Sequence, residues 1–238
     1  LRERLVTDLS TFLGPRPNIF APKELIPPPQ AILLNSPVIS RSMLRAITEN
    51  TETTACISLL FSLDHGQVGL RTALNKIASE AVSAVRRGVG ILVLSDINAD
   101  PKYAPIPSLL GLRAVVNALN TQGLNLSASI VVESGEIIET HHVAMLIGFG
   151  AAAVCPALAL SLAQSASDGA LKDSDPIENE RKLLKAYDNG LLKIMSKAGI
   201  SVARSYQGSE LFTPIGISQE LLDDFFPRLR SRIGGLTL

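Results

Sequence analysis

The amino-acid sequence predicts an α/β fold of mostly parallel βα units, arranged as a partial barrel of the TIM type. Short apolar runs of strand length alternate along the chain with stretches whose apolar residues follow helical spacing. The strand-length runs are apolar throughout, which is typical of strands buried on both faces of a parallel sheet. Four or five such units are too few to close an eight-stranded barrel. A partial barrel and an open doubly wound sheet both satisfy this pattern, and we favour the partial barrel.

The composition narrows the class of protein. A length of 238 residues suits one large domain or two small ones. The 22 basic and 22 acidic residues balance, which argues against a partner held by net charge, such as nucleic acid or an anionic membrane. Apolar residues make up 46% and charged residues 18%, so the chain can bury a large core. Aromatic residues make up only 4%, so that core must be aliphatic.

The N-terminal part has its own composition. Seven of the 14 prolines lie between residues 15 and 37. Proline fixes φ and lacks an amide donor, so we expect an extended segment that lies on a surface. The sequence therefore predicts a proline-rich linker over residues 1–35, followed by an α/β domain over residues 36–238.

The elements of that domain follow in order from their patterns and end signals. The second helix carries Arg86 in its last turn, where the helix dipole favours a cation, and Gly88 is placed to end it. Pro107 suits the first turn of the third helix. The predicted strands are 55–61, 90–94, 127–132, 152–155 and 200–203. The predicted helices are 40–48, 68–87, 107–122, 141–148, 157–163, 176–197 and 219–226.

The longest helix has the clearest start. We interpret residues 168–175 as a polar loop that ends in Asp175, the predicted helix cap. Pro176 is then the first helical residue, and Glu178 is the third residue after the cap. Gly190 lies inside this helix and costs about 1 kcal/mol relative to Ala.

The uncharged stretch over residues 143–164 is long enough to cross a bilayer if it is one helix. It contains Gly148, Gly150 and Pro156 and has no flanking basic cluster. We therefore interpret it as a buried helix, strand and helix in series rather than as a membrane span.

The two cysteines, Cys56 and Cys155, both lie in apolar runs. They are too few for an iron–sulfur or Cys-rich metal site. We predict buried, reduced thiols in a protein of a reducing compartment.

Ligands of parallel α/β folds bind at the carboxyl ends of the strands. The polar residues at the predicted strand ends are Asp96, Glu133, Ser134 and Cys155, with His141 and His142 shortly after. One hypothesis joins Asp96, Glu133 and one histidine in a metal or acid–base site. The other has these side chains cap helices and satisfy loop amides. We favour the second because no metal spacing such as H-E-x-x-H is present.

The remaining motifs are weaker. Gly88/Gly90 and Gly148/Gly150 precede strands, so we interpret them as turns rather than phosphate cradles. Residues 232–235 are a weak candidate anion site, and His65 is either a proton shuttle or an exposed loop residue. No serine-nucleophile elbow is present, because residues 133–135 lack the first glycine of that motif. An ordinary solvated helix face is predicted for Lys182, Lys185, Lys193 and Lys197.

Eleven segments in chain order resemble the central domain of glutamate synthase. They are residues 35–38, 69–85, 91–96, 104–110, 131–136, 141–142, 146–151, 190–193, 195–201, 205–208 and 231–236. Each is modest alone, and together they cover the chain from about Leu33. The sequence departs from the family pattern at residues 98–103, which differ from the usual acidic and arginine run, and at Gln207, where arginine is expected.

The resemblance implies an enzyme that makes glutamate from glutamine and 2-oxoglutarate and that performs the separate steps in separate domains. It implies an amidotransferase domain with a leading nucleophilic cysteine, and a synthase domain that carries FMN and a 3Fe-4S cluster. The central domain is similar in fold to the FMN domain but holds no catalytic, cofactor-binding or metal-binding residue. This chain would then belong to a cytoplasmic or plastid-stroma enzyme, with no nucleic-acid or membrane partner.

Three functional hypotheses follow. The leading one is a non-catalytic domain that links the glutaminase and FMN synthase domains and helps to enclose the route of ammonia. The alternative is a stand-alone βα-barrel enzyme that uses Asp96 and Glu133 on a phosphorylated substrate. The third is an interaction module whose proline-rich arm docks a partner.

Overall fold

The computed structural model describes residues 2–16, 20, 31–165 and 175–238. The strands are β1 (Thr11–Leu13), β2 (Ile32–Leu34), β3 (Thr54–Ser58), β4 (Leu60–Ser62), β5 (Ile91–Ser95), β6 (Tyr103–Pro105), β7 (Ser129–Ser134) and β8 (Ala153–Pro156). The helices are α1 (Arg41–Asn50), α2 (Gly66–Arg86), α3 (Ser108–Thr121), α4 (Thr140–Gly148), α5 (Ala157–Ser165), α6 (Pro176–Lys197), α7 (Ala203–Tyr206) and α8 (Gln219–Phe225). Single 3₁₀ turns occur at Arg2–Leu5 and Leu63–His65.

A four-stranded parallel sheet lies at the centre, in the order β3-β5-β7-β8. Each new strand is added on the same side of the previous one, with helices in the crossovers. A doubly wound sheet instead reverses its strand order at a switch point. The unreversed order is that of a barrel, so the predicted α/β partial barrel is confirmed.

Different elements cover the two faces of the sheet. Helices α2, α3 and α4 pack on one face, which we call the outer face, through residues such as Leu74, Leu112 and Leu146. On the opposite, inner face, helices α1 and α5 pack together with the antiparallel pair β1–β2. Helix α6 contacts both α4 and α5. Where a closed barrel would have further strands, this half-barrel is filled by α1 and the N-terminal strand pair.

The predicted helices are all confirmed, with ends within two residues of those expected. At the start of α1, Ser40 Oγ accepts a hydrogen bond from the amide of Met43 at 3.0 Å. Asp175 caps α6 as predicted, and its Oδ1 accepts from the amide of Ile177 at 3.1 Å. Among the described residues, no helix is long and apolar enough to cross a membrane.

The predicted strand over 55–61 is wrong as a single strand. Its second half, β4, pairs antiparallel with β6, which comes from the loop after β5. The amide of Leu59 still donates to the carbonyl of Ser95 at 2.8 Å, and the Leu59 carbonyl then accepts from Ile106 at 2.8 Å. Because this second partner lies about forty residues later, periodicity within 55–61 does not reveal the break.

The predicted strand over 200–203 is also wrong. Val202 forms a single bridge with Asp8, and the chain turns at once into α7. The carbonyl of Ser201 accepts from the Asp8 amide at 2.7 Å, and the Asp8 carbonyl accepts from Ala203 at 2.9 Å. The partner of this segment is therefore the N-terminus rather than the parallel sheet.

Both flanks of the proline-rich stretch pack on the body of the molecule. Strands β1 and β2 pair with each other, and Leu13 and Leu34 are buried against the inner face. Residues 17–19 and 21–30 lie outside the described part, as do residues 166–174, which include all of the predicted polar loop over 168–175 except Asp175. The division into a linker and a domain at residue 35 stays a prediction.

Candidate functional site

Asp96 follows β5 and is buried, with 5% of its surface exposed. Its Oδ2 accepts a hydrogen bond from Ser134 Oγ, and its Oδ1 accepts from the amide of Gly135 at 3.0 Å. Ser134 Oγ in turn accepts from the amide of Glu136 at 3.0 Å. The Asp96 carboxylate is thus engaged in fixing the loop that follows β7.

Glu133 belongs to a different environment. Its Oε2 accepts from Ser95 Oγ at 2.7 Å, and its Oε1 lies 3.9 Å from Arg41 Nε. Successive residues of a strand point to opposite faces. Glu133 therefore lies on the inner face, whereas Ser134, which binds Asp96, lies on the outer face. The sequence analysis joined Asp96 and Glu133 in one candidate site. In the structure, the two carboxylates have different hydrogen-bond and ion-pair partners.

The histidines serve the start of α4. His142 Nδ1 accepts hydrogen bonds from the amides of Ile138 and Glu139, at 3.2 and 3.4 Å. Glu139 and His142 form a reciprocal capping box there, with Glu139 as the cap residue. His141 is exposed. Within the described ranges, no group of three metal-ligating side chains converges.

The two cysteines differ, and the prediction that both are buried is wrong for Cys56. Cys155 on β8 is fully buried, and burial together with nearby Glu133 raises the pKa of its thiol to about 12. Cys56 is exposed on β3, the edge strand, where it lines a groove together with residues of α1. Partial burial and Glu133 also raise the Cys56 pKa. Neither thiol is activated as a nucleophile.

A groove of about 340 Å³ opens at the carboxyl ends of the strands, and the residues that line it include Arg41, Asp96, Ile97, Pro105, Glu136 and Leu158. A flavin phosphate needs free amides or basic groups. The first amide of α3 already donates to Glu136 at 2.8 Å, and Arg41 faces Glu133 and Ser161. With two carboxylates in the lining, these residues do not fit a flavin phosphate.

The weaker motifs have structural roles. Gly88 and Gly150 adopt φ of 97° and 125° in the turns that follow α2 and α4, so their interpretation as turns is confirmed. A Cβ on Gly235 would lie 2.2 Å from the Gly216 carbonyl oxygen, so close backbone packing accounts for that glycine. His65 lies in a 3₁₀ turn, and its side chain is outside the described part. The predicted solvated face is confirmed by the exposure of Lys182, Lys185, Lys193 and Lys197.

Sequence reasoning missed a buried ion cluster. Arg113 and Glu210 are 4% and 7% exposed, and Arg113 Nη1 lies 3.0 Å from Glu210 Oε1. Arg228 Nη2 lies 2.8 Å from the same oxygen. Burial lowers the pKa of Arg113, and Glu210 opposes that shift. An arginine within the apolar run of residues 112–115 was the available signal, because such a charge requires a buried partner.

The two departures from the family pattern also have local roles. Gln207 Nε2 donates to the carbonyl of Gly150 at 2.9 Å, and Gln207 Oε1 accepts from Arg16 Nη2 at 3.1 Å. Asp100 Oδ1 accepts from the amides of Lys102 and Tyr103, at 2.7 and 2.8 Å, and so closes the turn before β6.

Comparison with known proteins gives a consistent family. Residues 1–218 match the sequence model of the glutamate synthase central domain. The chain is 36% identical to the large chain of NADPH glutamate synthase from Bacillus subtilis, over 100% of this chain and 15% of that protein. It is 39% identical to the corresponding chain of Azospirillum brasilense and 37% identical to ferredoxin-dependent glutamate synthase 2 of Synechocystis, in each case over 100% of this chain and 16% of the relative.

Among solved structures, the chain is similar to a mandelate oxidase variant that carries a monooxide FMN adduct. The identity is 17% and the TM-score 0.47, over 70% of this chain and 44% of the oxidase. The family model matches most of the chain, and the alignments with these relatives cover all of it. The chain therefore belongs to the glutamate synthase central domain family.

Proposed function

We propose that this chain is the non-catalytic central domain of a glutamate synthase large chain, spanning about a sixth of that polypeptide. It links the glutaminase and FMN synthase domains and contributes to the wall that encloses the ammonia route. A reactive neutral intermediate is lost to solvent unless its path is enclosed, so a rigid spacer has a catalytic consequence without catalytic residues. FMN and the 3Fe-4S cluster belong to the neighbouring synthase domain.

One observation carries the proposal: the polar residues at the strand ends are engaged in structural hydrogen bonds. Asp96 holds a loop amide, Glu136 holds the first amide of α3, and His142 holds two amides before α4. A catalytic acid or base needs a free position toward its substrate. The domain division follows the same scheme, with residues 1–35 as the connecting segment and residues 36–238 as the spacer. The enzyme acts in the cytoplasm or in the plastid stroma.

The test compares the purified chain with the full-length enzyme. We expect the chain alone to show no glutamine hydrolysis and no 2-oxoglutarate-dependent glutamate formation with an artificial reductant. We also expect no stoichiometric flavin absorbance. Turnover by the chain alone, or copurifying flavin at one equivalent, would contradict the proposal.

A pair of amide variants separates the rival barrel-enzyme hypothesis. In the full-length enzyme, Asp96→Asn and Glu133→Gln are expected to leave the specific activity of the folded protein within about twofold of the parent. If either carboxylate acted on a substrate, its amide variant would lose activity by two or more orders of magnitude, as is typical of general acid–base groups.

A further inference from the structure

Strand β3 leaves part of the inner face uncovered. Its burial pattern alternates, so that Ile57 is buried toward the outer helices whereas Cys56 and Ser58 are exposed on the inner side. On the neighbouring strand, Val93 is 1% exposed. A groove of about 700 Å³ runs along α1 over this part of the sheet, with Cys56 and Val93 among its lining residues. Among the described residues, no strand pairs with the far edge of β3.

The opposite edge of the same sheet shows how the chain covers an edge. Residues 37–39 run extended beside β8. The amide of Ile39 donates to the carbonyl of Val154 at 2.9 Å, and the amide of Val154 donates to the carbonyl of Pro37 at 2.8 Å. An extended peptide thus already closes the sheet on this side.

The sequence of β3 lacks the features of a strand that stays exposed. Exposed edge strands in natural proteins carry lysine, proline or a bulge, which block pairing with another chain. Strand β3 reads Thr-Ala-Cys-Ile-Ser, with no charge and no proline. Parallel sheets are also rarely left open to solvent. Both points indicate that β3 is covered in the whole protein.

The charges in the groove indicate a neutral occupant. Arg45 Nε lies 3.1 Å from Glu49 Oε1 on α1, and Arg41 Nε lies 3.9 Å from Glu133 Oε1 across the floor. Two cations and two anions face one another, so the groove offers no net charge to an ionic ligand. A peptide backbone needs only amide and carbonyl partners, which β3 presents at the edge where no described strand pairs with it.

We propose that an extended, uncharged segment of the same glutamate synthase polypeptide, outside this chain, adds a strand beside β3 and reaches over the adjoining groove with its inner-face side chains. This chain spans only 12–16% of its relatives, so most of the polypeptide is available to supply the segment. The inference rests on the proposed function, because it takes the chain as one domain of that enzyme. It specifies which surface the neighbouring domain contacts.

The test is amide hydrogen exchange, resolved by mass spectrometry, on the full-length enzyme. We expect the Cys56 and Ser58 amides, which point away from β5, to exchange on the order of 100-fold more slowly than unstructured amides, as paired strands do. The Thr54 amide already donates to the Thr51 carbonyl at 3.2 Å and is not used as a reporter. Cys56→Lys places a charge in the groove and is expected to speed that exchange about tenfold or more. The matched control is Ser83→Lys on the exposed face of α2, which leaves β3 protection unchanged.

Three results would overturn the inference. The first is rapid exchange of those β3 amides in the active full-length enzyme. The second is equal protection in Cys56→Lys and in the parent. The third is protection that rises with protein concentration, which would make a second copy of the chain the occupant. None of these results depends on turnover by the chain alone, so the inference can fail while the proposed function stands.

Discussion

Asp188 on α6 is a partly buried carboxyl group whose contribution to stability is expected to change with pH. Its Oδ1 accepts a hydrogen bond from Ser36 Oγ at 2.5 Å. Burial raises the pKa of the Asp188 carboxyl above its ordinary value of 3.8, and the Ser36 bond and Arg4 oppose that shift. The folded chain thus holds this proton more tightly than the unfolded chain does. Its contribution to stability is complete below pH 3.8 and is lost as pH rises through the raised pKa.

We therefore predict that Asp188→Asn, which keeps an oxygen acceptor for Ser36, becomes more stable relative to the parent as pH rises from 4 toward neutrality. Urea midpoints measured across this range give the difference. The control is Glu178→Gln, because the hydrogen bond from Arg181 lowers the Glu178 pKa and the parent gains stability with rising pH there. A difference for Asp188→Asn that does not change with pH would contradict the prediction.

Asp96 and Asp100 separate the effect of burial from that of hydrogen-bond number. Each accepts two hydrogen bonds, Asp96 from the loop that follows β7 and Asp100 from its own loop, but Asp96 is buried and Asp100 is exposed. Asp96→Ala leaves the buried Ser134 hydroxyl and the partly buried Gly135 amide without their acceptor, and we expect a loss of about 1–3 kcal/mol in the free energy of unfolding. Asp100→Ala should cost less than about 1 kcal/mol, because water replaces the lost partner. Equal losses in urea unfolding would contradict this.

The sequence predicted which side chains lie at the strand ends. It did not predict their hydrogen-bond partners. Asp96 and Glu133 were placed correctly after β5 and near the end of β7. Strand alternation puts Glu133 and Ser134 on opposite faces, and only the three-dimensional pairing shows that Asp96 goes with Ser134. Cys56 is exposed on the edge strand of the sheet, and no local pattern encodes which strand lies at the edge.

Helix α6 contains a glycine, Gly190, that is explained by its close contact with another helix. Gly190 costs helix propensity, yet a Cβ there would lie 2.4 Å from Thr140 Cγ2, 2.5 Å from its Oγ1 and 3.0 Å from its Cβ. Because α4 and α6 pack against each other, glycine lets the two helices approach at this point.

Gly190→Ala is therefore predicted to destabilise the chain by about 1–3 kcal/mol, the usual cost of overpacking, although alanine is the better helix former. Thr140→Ala in the same chain removes two of the three clashing atoms and should recover part of the loss. Chemical denaturation of the parent, both single variants and the double variant gives the coupling energy. A stabilised Gly190→Ala would show that helix propensity outweighs the contact.

Periodicity located the helices and the central strands because each buries a face whose spacing is local. It was wrong where the partner is distant in sequence: β4 exists because β6 returns beside it, and residues 200–203 pair with the N-terminus instead of the sheet. The same limit applies to the whole half-barrel. The alternation predicted parallel units, but that α1 and the β1–β2 pair fill the inner face follows only from the assembled structure.

The C-terminal segment is attached to the half-barrel through Arg113. Its Nε donates to the carbonyl of Phe225 at the end of α8 at 3.1 Å, and its Nη1 donates to the carbonyl of Phe149 after α4 at 3.3 Å. The guanidinium also lies 5.8 Å from the centre of the Phe226 ring. One side chain thus joins α3, the turn after α4 and the end of α8.

Arg113→Met is predicted to lower the free energy of unfolding by about 3–5 kcal/mol, because it leaves Glu210 buried with half of its countercharge. The control is Arg71→Met, which breaks the exposed pair of Arg71 and Asp224, 2.8 Å apart, and should cost less than about 1 kcal/mol. Amide exchange should accelerate in α8 for Arg113→Met alone, since the lost carbonyl contact lies at its end. Adding Glu210→Gln removes the uncompensated charge and should restore part of the stability. A loss for Arg113→Met no larger than that for Arg71→Met would mean that apolar packing, rather than the ion cluster, holds the segment in place.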